Sequence, residues 1–282
     1  MPGTLVICPT PLGNLKEMPP RALEALRDAD VVCAEDTRVT GKLLAAFGLE
    51  KRLERLDENL VGERAASIVE RVLSGETIAY CTDAGMPGVS DPGLRLVRAA
   101  RDAGADVAVL PGPTAVATAY VASGSANAAF FFGGFFPRKD AARRSLLESL
   151  RKLDAALIFY ESPNRIVSAL EAVADVFPHR ELAVCRELTK LHEEVVRGKT
   201  DEVRHLFAER GVVKGEIVIV IDGPSAEEES HAAEQAARSA VERAVQLGAE
   251  GFRPKAIAKT LASEFGIPRN EAYDIALEAA GR

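Results

Sequence analysis

Four short loops concentrate residues able to meet a ligand: TPLGNL from Thr10, AEDTR from Ala34, TDAGMPGVSDPG from Thr82 and LPGPTA from Leu110. Each follows an apolar, β-branched run, so each sits where a strand ends. Glycine lets backbone come close to a bound molecule, and in open α/β sheets ligands bind outside the carboxyl ends of strands. Carboxylates and cations in AEDTR, in FYESP from Phe159 and in CRELTK from Cys185 add groups that can move a proton or hold a charge. The familiar phosphate motifs do not occur. G-x-G-x-x-G is missing after the first strand, and neither G-x-x-x-x-G-K-[ST] nor G-x-S-x-G appears, which disfavours dinucleotide, P-loop and nucleophile-elbow chemistry.

The elements that position these loops alternate. TLVIC, VVCA, TIAYC, DVAVLPG, AALIFY, ELAVC and EIVIVI are strand-like, with helical stretches between them at 20–28, 62–74, 92–103 and 163–177. That alternation predicts an α/β fold with helices packed on largely parallel sheets. A change of style between residues 111 and 135 divides it into two α/β lobes, 1–113 and 114–223, with a ligand cleft between them. Beyond an acidic linker, AEEES, a small helical unit follows at 231–282. There Ile257, Leu261 and Phe265 line one helix, and Tyr273, Ile275, Leu277 and Ala280 the next, around a Gly-Ile-Pro turn. The pair resembles a helix-turn-helix, a form used both for nucleic-acid binding and for plain packing.

The chain has 282 residues, 47% hydrophobic and 27% charged, with a formal charge of −7. No apolar run approaches the roughly 18 residues that a membrane span needs, and the first residues lack a signal-peptide pattern, so a soluble, cytoplasmic protein without membrane contact is expected. The four cysteines lie far apart from one another and from the histidines, which predicts reduced, buried thiols, no disulfide and no metal. Net acidity argues against wholesale coating of nucleic acid. Locally the balance reverses: between Arg138 and Lys152 six basic residues face two acids.

Taken together and in order, TPLGNL, AEDTR, DAGMPGVSDPG, LPGPTA, FFGGFFPRK, FYESPNRI, CRELTKLHEEVVRG and KGEIVIVI resemble the tetrapyrrole methylase superfamily. Within it they look like its ribosomal branch, which 2′-O-methylates a cytidine in the decoding region of 16S rRNA. The resemblance runs from Thr4 to Ile221. It implies a two-lobed homodimer that binds S-adenosylmethionine between its lobes and acts on the small (30S) ribosomal subunit. Carried onto this sequence, the cofactor touches Leu12, Gly13, Asp83, Ala84, Gly85, Met86, Thr114, Ala115, Tyr160, Gly215 and Glu216. The RNA side draws on Arg38, Phe135, Phe136, Arg138, Lys139, Arg143, Arg144, Arg165 and Arg186. In one respect the chain departs from the pattern. Where relatives carry a histidine beside an asparagine, RLDENLVGE keeps Asn59 without the histidine, which leaves no histidine base there.

Methyl transfer to a ribose hydroxyl is an in-line displacement that needs alignment, exclusion of water and a base, but no metal. Candidates for the catalytic groups are Glu187 with Lys190, Asp36 and its neighbour Glu35, and Glu161. For Asp36, before Thr37, a helix-capping role competes with chemistry. His192 competes with them as a base, against a charge-paired surface role. Phe130, Phe131 and Phe132 read as core, whereas Phe135 and Phe136, after two glycines and before PRKD, are placed to stack on unpaired bases. Two rival functions fit the same superfamily resemblance or the basic run: a small-molecule methylase of corrin-type precursors, and a non-catalytic rRNA-binding assembly factor.

Overall fold

The computed structural model describes residues 3–280. The chain divides at Gly223 and Pro224 into two compact units. In the first unit, β1 (Thr4–Ile7), α1 (Pro20–Asp28), β2 (Val31–Ala34), α2 (Thr37–Ala46), β3 (Leu53–Arg55), α3 (Glu58–Leu73), β4 (Ile78–Cys81), α4 (Gly93–Asp102) and β5 (Asp106–Val109) build a five-stranded sheet. All its pairings are parallel, in the order β3-β2-β4-β1-β5. Because alternate residues of a strand face opposite sides, one apolar set packs on α3 and α4 through Leu5, Ile7, Ile78 and Tyr80. The other set packs on α1 and α2 through Val6, Cys8, Val32 and Ala79.

The second sheet follows α5 (Ala115–Ser123). Its elements are β6 (Phe130–Phe135), α6 (Asp140–Ser149), β7 (Ala156–Glu161), α7 (Ile166–Val176), β8 (Glu181–Arg186), β9 (Glu194–Lys199), α8 (Thr200–Glu209) and β10 (Ile217–Ile221). Its strand order is β6-β7-β10-β8-β9. This sheet is mixed rather than largely parallel: only β6 and β7 run together, while β10 opposes both β7 and β8, and β9 opposes β8. Direction escapes a reading of β10 because IVIVI is buried on both faces, and such a run looks alike in either orientation. β9 is an edge strand whose residues are all partly or fully exposed, so it carries little apolar signal.

Residues 130–136 depart from expectation. Phe130 is exposed and Phe131 and Phe132 are only partly covered, because β6 is itself an edge strand. At Gly133–Gly134 the register with β7 shifts, and a Cβ on Gly133 would lie 2.2 Å from the Phe159 ring. Such a bulge re-aims the residues that follow. Phe135 therefore points outward, 58% exposed, while Phe136 is 2% exposed and stacks on Phe159 with ring centroids 3.9 Å apart. Phe136 is thus core and not an RNA-stacking face. Arg143 is corrected in the same way. At 2% exposure it lies 5.9 Å from the centroid of the Phe136 ring and 3.8 Å from Glu161, so it cannot reach a phosphate without leaving the core.

The second unit contains α9 (Ala226–Ala249), α10 (Pro254–Phe265) and α11 (Arg269–Ala280). AEEES is not a linker but the first turn of α9. Ser225 accepts from the Glu228 N–H at 3.1 Å, and Glu228 reaches back to the Ser225 N–H, a reciprocal cap that starts the helix. Ile257 and Leu261 are buried as expected from their spacing. On α11, Ala272 and Ala276 take the buried positions instead of Tyr273 and Leu277, which are exposed.

The loop from Thr82 to Gly93 is closed by one side chain. Asp91 accepts the Gly88 N–H at 2.7 and 2.8 Å, the Val89 N–H at 3.0 Å and the Gly93 N–H at 2.8 Å. The N-cap of α4 is Pro92, not Ser90 or Asp91, and it gives no side-chain cap bond. Asp91 thus ties Gly88 and Val89, midway along the loop, to Gly93 at the start of α4. Hydrogen bonds to a carboxylate contribute about 1.5–3 kcal/mol each when their loss leaves donors unpaired. Asp91→Ala is expected to lower the unfolding free energy by on the order of 3 kcal/mol in a urea titration, and Asp91→Asn by less, since one acceptor oxygen remains. An unchanged midpoint in both would remove Asp91 from this role.

Candidate active site

The strand-end loops of the first sheet and the ends of β6, β7, β8 and β10 enclose a cavity of about 490 Å³ within the first unit. Leu12 enters from the loop after β1, and Glu35 from the loop after β2. Thr82, Asp83, Ala84, Gly85, Met86, Val89, Ser90 and Asp91 form one wall, and Thr114 and Ala115 adjoin it at the start of α5. Opposite them stand Phe135, Tyr160, Glu161, Ser162, Pro163, Cys185, Leu188 and the backbone from Gly215 to Val218.

Local physics fixes these walls. Thr10 and Gly85 exchange backbone hydrogen bonds at 3.0 and 3.1 Å, and the Thr10 hydroxyl donates to the Thr82 carbonyl at 3.2 Å. Gly85 has φ +79, and a Cβ there would lie 3.0 Å from the Leu12 side chain and 3.3 Å from the Pro113 carbonyl. Thr114 caps α5 by accepting from the Ala117 N–H at 3.1 Å. Tyr160 is held edge-on by Phe132 and Phe135, with centroids 4.9 and 5.4 Å away. Burial pushes its hydroxyl up to about 12, so it stays neutral.

Charge distinguishes the cavity. Its lining includes Glu35, Asp83, Asp91, Glu161 and Glu216 but no Lys, Arg or His. Three of these carboxylates are already engaged. Asp91 holds its loop; Glu161 accepts from Arg165 at 2.6 Å and from the Ser162 N–H at 2.6 Å; Glu216 pairs with Lys190 at 3.0 Å. Among the described residues Glu35, Asp83 and Asp91 have no cation at ion-pair distance, and of these Asp91 alone is held by several backbone N–H groups. Asp83 accepts the Asp36 N–H at 3.1 Å. Burial, then the neighbouring charges of Asp83 and Asp91, raise the pKa of Glu35, and burial raises that of Asp83. The Thr82 hydroxyl oxygen is buried in this wall without a hydrogen-bond partner.

Of the residues expected at the cofactor, ten line the cavity and Gly13 does not. Gly13 instead underlies Lys190, whose Cγ would lie 2.3 Å from a Cβ placed there. Of the five candidates for the catalytic groups, Asp36, Glu187 and Lys190 have other work. Asp36 caps α2 through the Arg38 N–H at 2.8 Å and grips the Arg38 side chain, whose hydrogen bonds hold the Asp36 carboxyl well below its usual range. Glu187, at φ +52, accepts from Lys190 Nζ at 2.9 Å and from the Glu216 N–H at 3.0 Å. The Lys190 bond, with that of Glu216, lowers the pKa of Glu187. Burial works to lower that of Lys190, but hydrogen bonds from Glu187 and Glu216 outweigh it and raise it. Glu187 and Lys190 therefore form a clamp on the Gly215–Glu216 wall. A lowered carboxylate and a firmly protonated amine are both poor bases near neutrality. Glu161 faces the cavity but is locked by Arg165.

The expected RNA residues separate likewise. Arg138 and Lys139 are exposed with no ion pair among the described residues, and Phe135 stands at the cavity rim. Arg38 is exposed while paired with Asp36. Arg144 is tied to Asp140 and Asp175, Arg165 to Glu161, and Arg186 to Glu194. Sequence reasoning passed over Val89, Ser90, Asp91, Ser162, Cys185 and Leu188 as lining. Ser90 and Asp91 read as a helix start, and the leucine between the charges of CRELTK carried the only signal for Leu188. All four cysteines are free and buried, and burial pushes Cys33, Cys81 and Cys185 up to about 12, which leaves inert thiols.

Comparison with known proteins follows the same lines. Residues 4–204 match the family model of Tetrapyrrole (Corrin/Porphyrin) Methylases. A protein of Halalkalibacterium halodurans named ribosomal RNA small subunit methyltransferase I is 38% identical over 97% of this chain and 94% of its own length. The protein of that name from Xylella fastidiosa is 42% identical over 96% and 98%. Among solved structures, a diphthine synthase superposes with a TM-score of 0.62 at 17% identity over 78% of this chain and 90% of its own. A cobalt precorrin-4 methyltransferase gives 0.57 at 17% over 78% and 94%; at such identity these two speak for the fold alone. The chain is a methyltransferase and belongs to the tetrapyrrole (corrin/porphyrin) methylase family, alongside its relatives named ribosomal RNA small subunit methyltransferase I.

Proposed function

We propose that this chain binds S-adenosylmethionine in the cavity and methylates the 2′-hydroxyl of a cytidine in the decoding region of 16S rRNA, acting as a homodimer on the small subunit. The observation that carries the cofactor reading is a cavity lined by carboxylates and no cation. Such a lining repels phosphates and favours a cationic ligand such as a sulfonium. When bound, the cofactor supplies an electrophilic methyl group. The names of the relatives at 38–42% identity support rRNA as acceptor, and the exposed Arg138 and Lys139 beside Phe135 suit a phosphate chain and a stacked base.

This chain's residues then divide the work. Gly85 lets backbone approach the ligand, and the unpartnered Thr82 hydroxyl offers it a hydrogen bond. Glu187 and Lys190 hold the Gly215–Glu216 wall, while Tyr160 and Phe135 exclude water. Glu35 is the base: it faces the cavity and has no ion-pair partner among the described residues. A raised pKa brings a carboxylate nearer the working pH, which strengthens it as a base.

Labelled cofactor offered in parallel to 30S subunits, free 16S RNA and a corrinoid precursor tests the reading. Label is expected in the 30S subunit, at a ribose. Label in the corrinoid alone, or in none of the three although the cofactor binds, sinks it. Glu35→Gln is expected to lower kcat by about 10²–10⁴-fold with cofactor affinity unchanged. Because a base must be deprotonated and this one is raised, the acid limb of the wild-type rate profile should lie above the ordinary glutamate value of about 4.3. A limb at or below it, or wild-type turnover in the variant, removes Glu35. Gly85→Ala, strained at positive φ and crowded by Leu12, is expected to lower the unfolding free energy by roughly 1–2 kcal/mol in a urea titration.

A further inference from the structure

We propose that the helical unit from Pro224 onward is a second RNA-contacting surface, a phosphate-backbone site formed by the turn between α9 and α10 and the outer stripe of α10. This rests on the rRNA reading above and adds to it a part of the chain that the cavity does not use. Acids outnumber bases in this unit, yet between Glu250 and Glu264 the charged residues are Arg253, Lys255 and Lys259 alone. All three are exposed, and none has an ion pair among the described residues. Lys255 and Lys259 stand four apart and so share one face of α10. Ala256 and Ser263 complete that exposed face, while Ile257, Ala258 and Leu261 fill the buried one. Glu264 is turned to the flank, where it pairs with Arg243 of α9 at 3.3 Å. The outer stripe is therefore purely cationic, with small residues between the cations that let a polymer backbone lie close.

Local rules are broken here without a structural return. Arg253 occupies the N-cap of α10, a position that favours Ser, Thr, Asp or Asn, and it provides no capping bond. Arg253 and Lys255 also place positive charge against the positive end of the helix dipole. Sequences that violate local preference with no compensating interaction mark functional positions. Beside them Phe252 is 51% exposed in the turn after Gly251, at φ +85. An exposed aromatic ring next to unpaired cations matches the way single-stranded RNA is held, by stacking and phosphate contacts.

The surface is not that of a groove-reading second helix. α11 exposes Glu271, Asp274 and Glu278 along with Tyr273 and Leu277, and such an acidic face repels nucleic acid. The helix-turn-helix likeness is thus one of shape, and the contact belongs to the first helix of the pair. An anionic membrane is the weaker partner for this surface, since a single aromatic side chain accompanies the cations and the rest of the unit is acidic.

The full-length chain and two variants, R253E/K255E/K259E and the milder R253Q/K255Q/K259Q, are to be titrated against 30S subunits between 50 and 300 mM KCl. Circular dichroism, melting and cofactor calorimetry run alongside on each protein. Expected are unchanged folding and cofactor affinity, 30S binding at least tenfold weaker at low salt, and a log–log salt slope flatter by about two to three units, near one for each phosphate no longer neutralised. Phe252→Ala should weaken binding without changing the slope. Wild-type binding with an unchanged slope in the glutamine variant overturns the inference alone. Wild-type chain that binds neither 30S subunits nor free 16S RNA overturns the rRNA reading and the inference with it. Loss of binding to phosphatidylglycerol vesicles, with 30S binding intact, assigns the surface to a membrane and also overturns it.

Discussion

Thr10 and Gly85 exchange both of their backbone hydrogen bonds across two loops that leave neighbouring strands of one parallel sheet. A parallel sheet delivers its strand ends to one edge, but the loops beyond that edge have no ladder to define them. This one bridge extends the pairing past the strands. It sets the backbone of residues 82–86 against Leu12 and leaves Gly85 at a positive φ that other residues adopt only under strain. Asp91 then closes the far side of the same loop through four bonds. The wall of the cavity is consequently preorganised, and its dependence on glycine and on one carboxylate is a geometric requirement rather than a preference for turns.

Against that rigid wall the second sheet brings a different kind of support. β10 is buried on both faces between two antiparallel neighbours, and the backbone just before it forms cavity lining at Gly215 and Glu216. Glu187 and Lys190 clamp this segment through charge-assisted bonds, with Glu187 at φ +52 and Thr189 at φ +66. Residues held in left-handed conformation cluster where function imposes geometry. The clamp explains why two residues with chemical potential are spent on position: their charges neutralise each other, which spares the cavity a cation.

What remains unneutralised is then informative. Five carboxylates surround the cavity; three are engaged by arginine, by lysine or by several backbone N–H groups, and Asp83 accepts a single backbone N–H. Glu35 and Asp83 stay adjacent, partly buried and raised in pKa. Keeping like charges together costs stability, and such arrangements concentrate at functional sites. In the helical unit the sign is reversed: the exposed cations Lys255 and Lys259 of α10 have no ion pair among the described residues, on a chain that is acidic as a whole. The two regions differ in sign and in enclosure: a cavity with carboxylates in its lining, and an open stripe of cations.

The sequence by itself determined the α/β class and the ends of the strands, because apolar β-branched runs and the glycine-proline loops after them follow from local backbone and burial rules. It also brought out the loops that line the cavity, and ten of the eleven residues that the family resemblance assigns to the cofactor lie in that lining. Only the tertiary structure decided which charged side chains face one another. Glu35, Asp36, Glu161 and Glu187 are equivalent as carboxylates at strand ends, and three of them take partners only two to four residues away; the sequence offers those partners, but the turn conformations that bring each pair together, such as φ +52 at Glu187, are set by the fold. Strand direction around β10 and the inward turn of Phe136 and Arg143 were hidden for a related reason. A doubly buried strand has no polar face to show its direction. A glycine bulge changes which side a residue faces without changing the residues themselves.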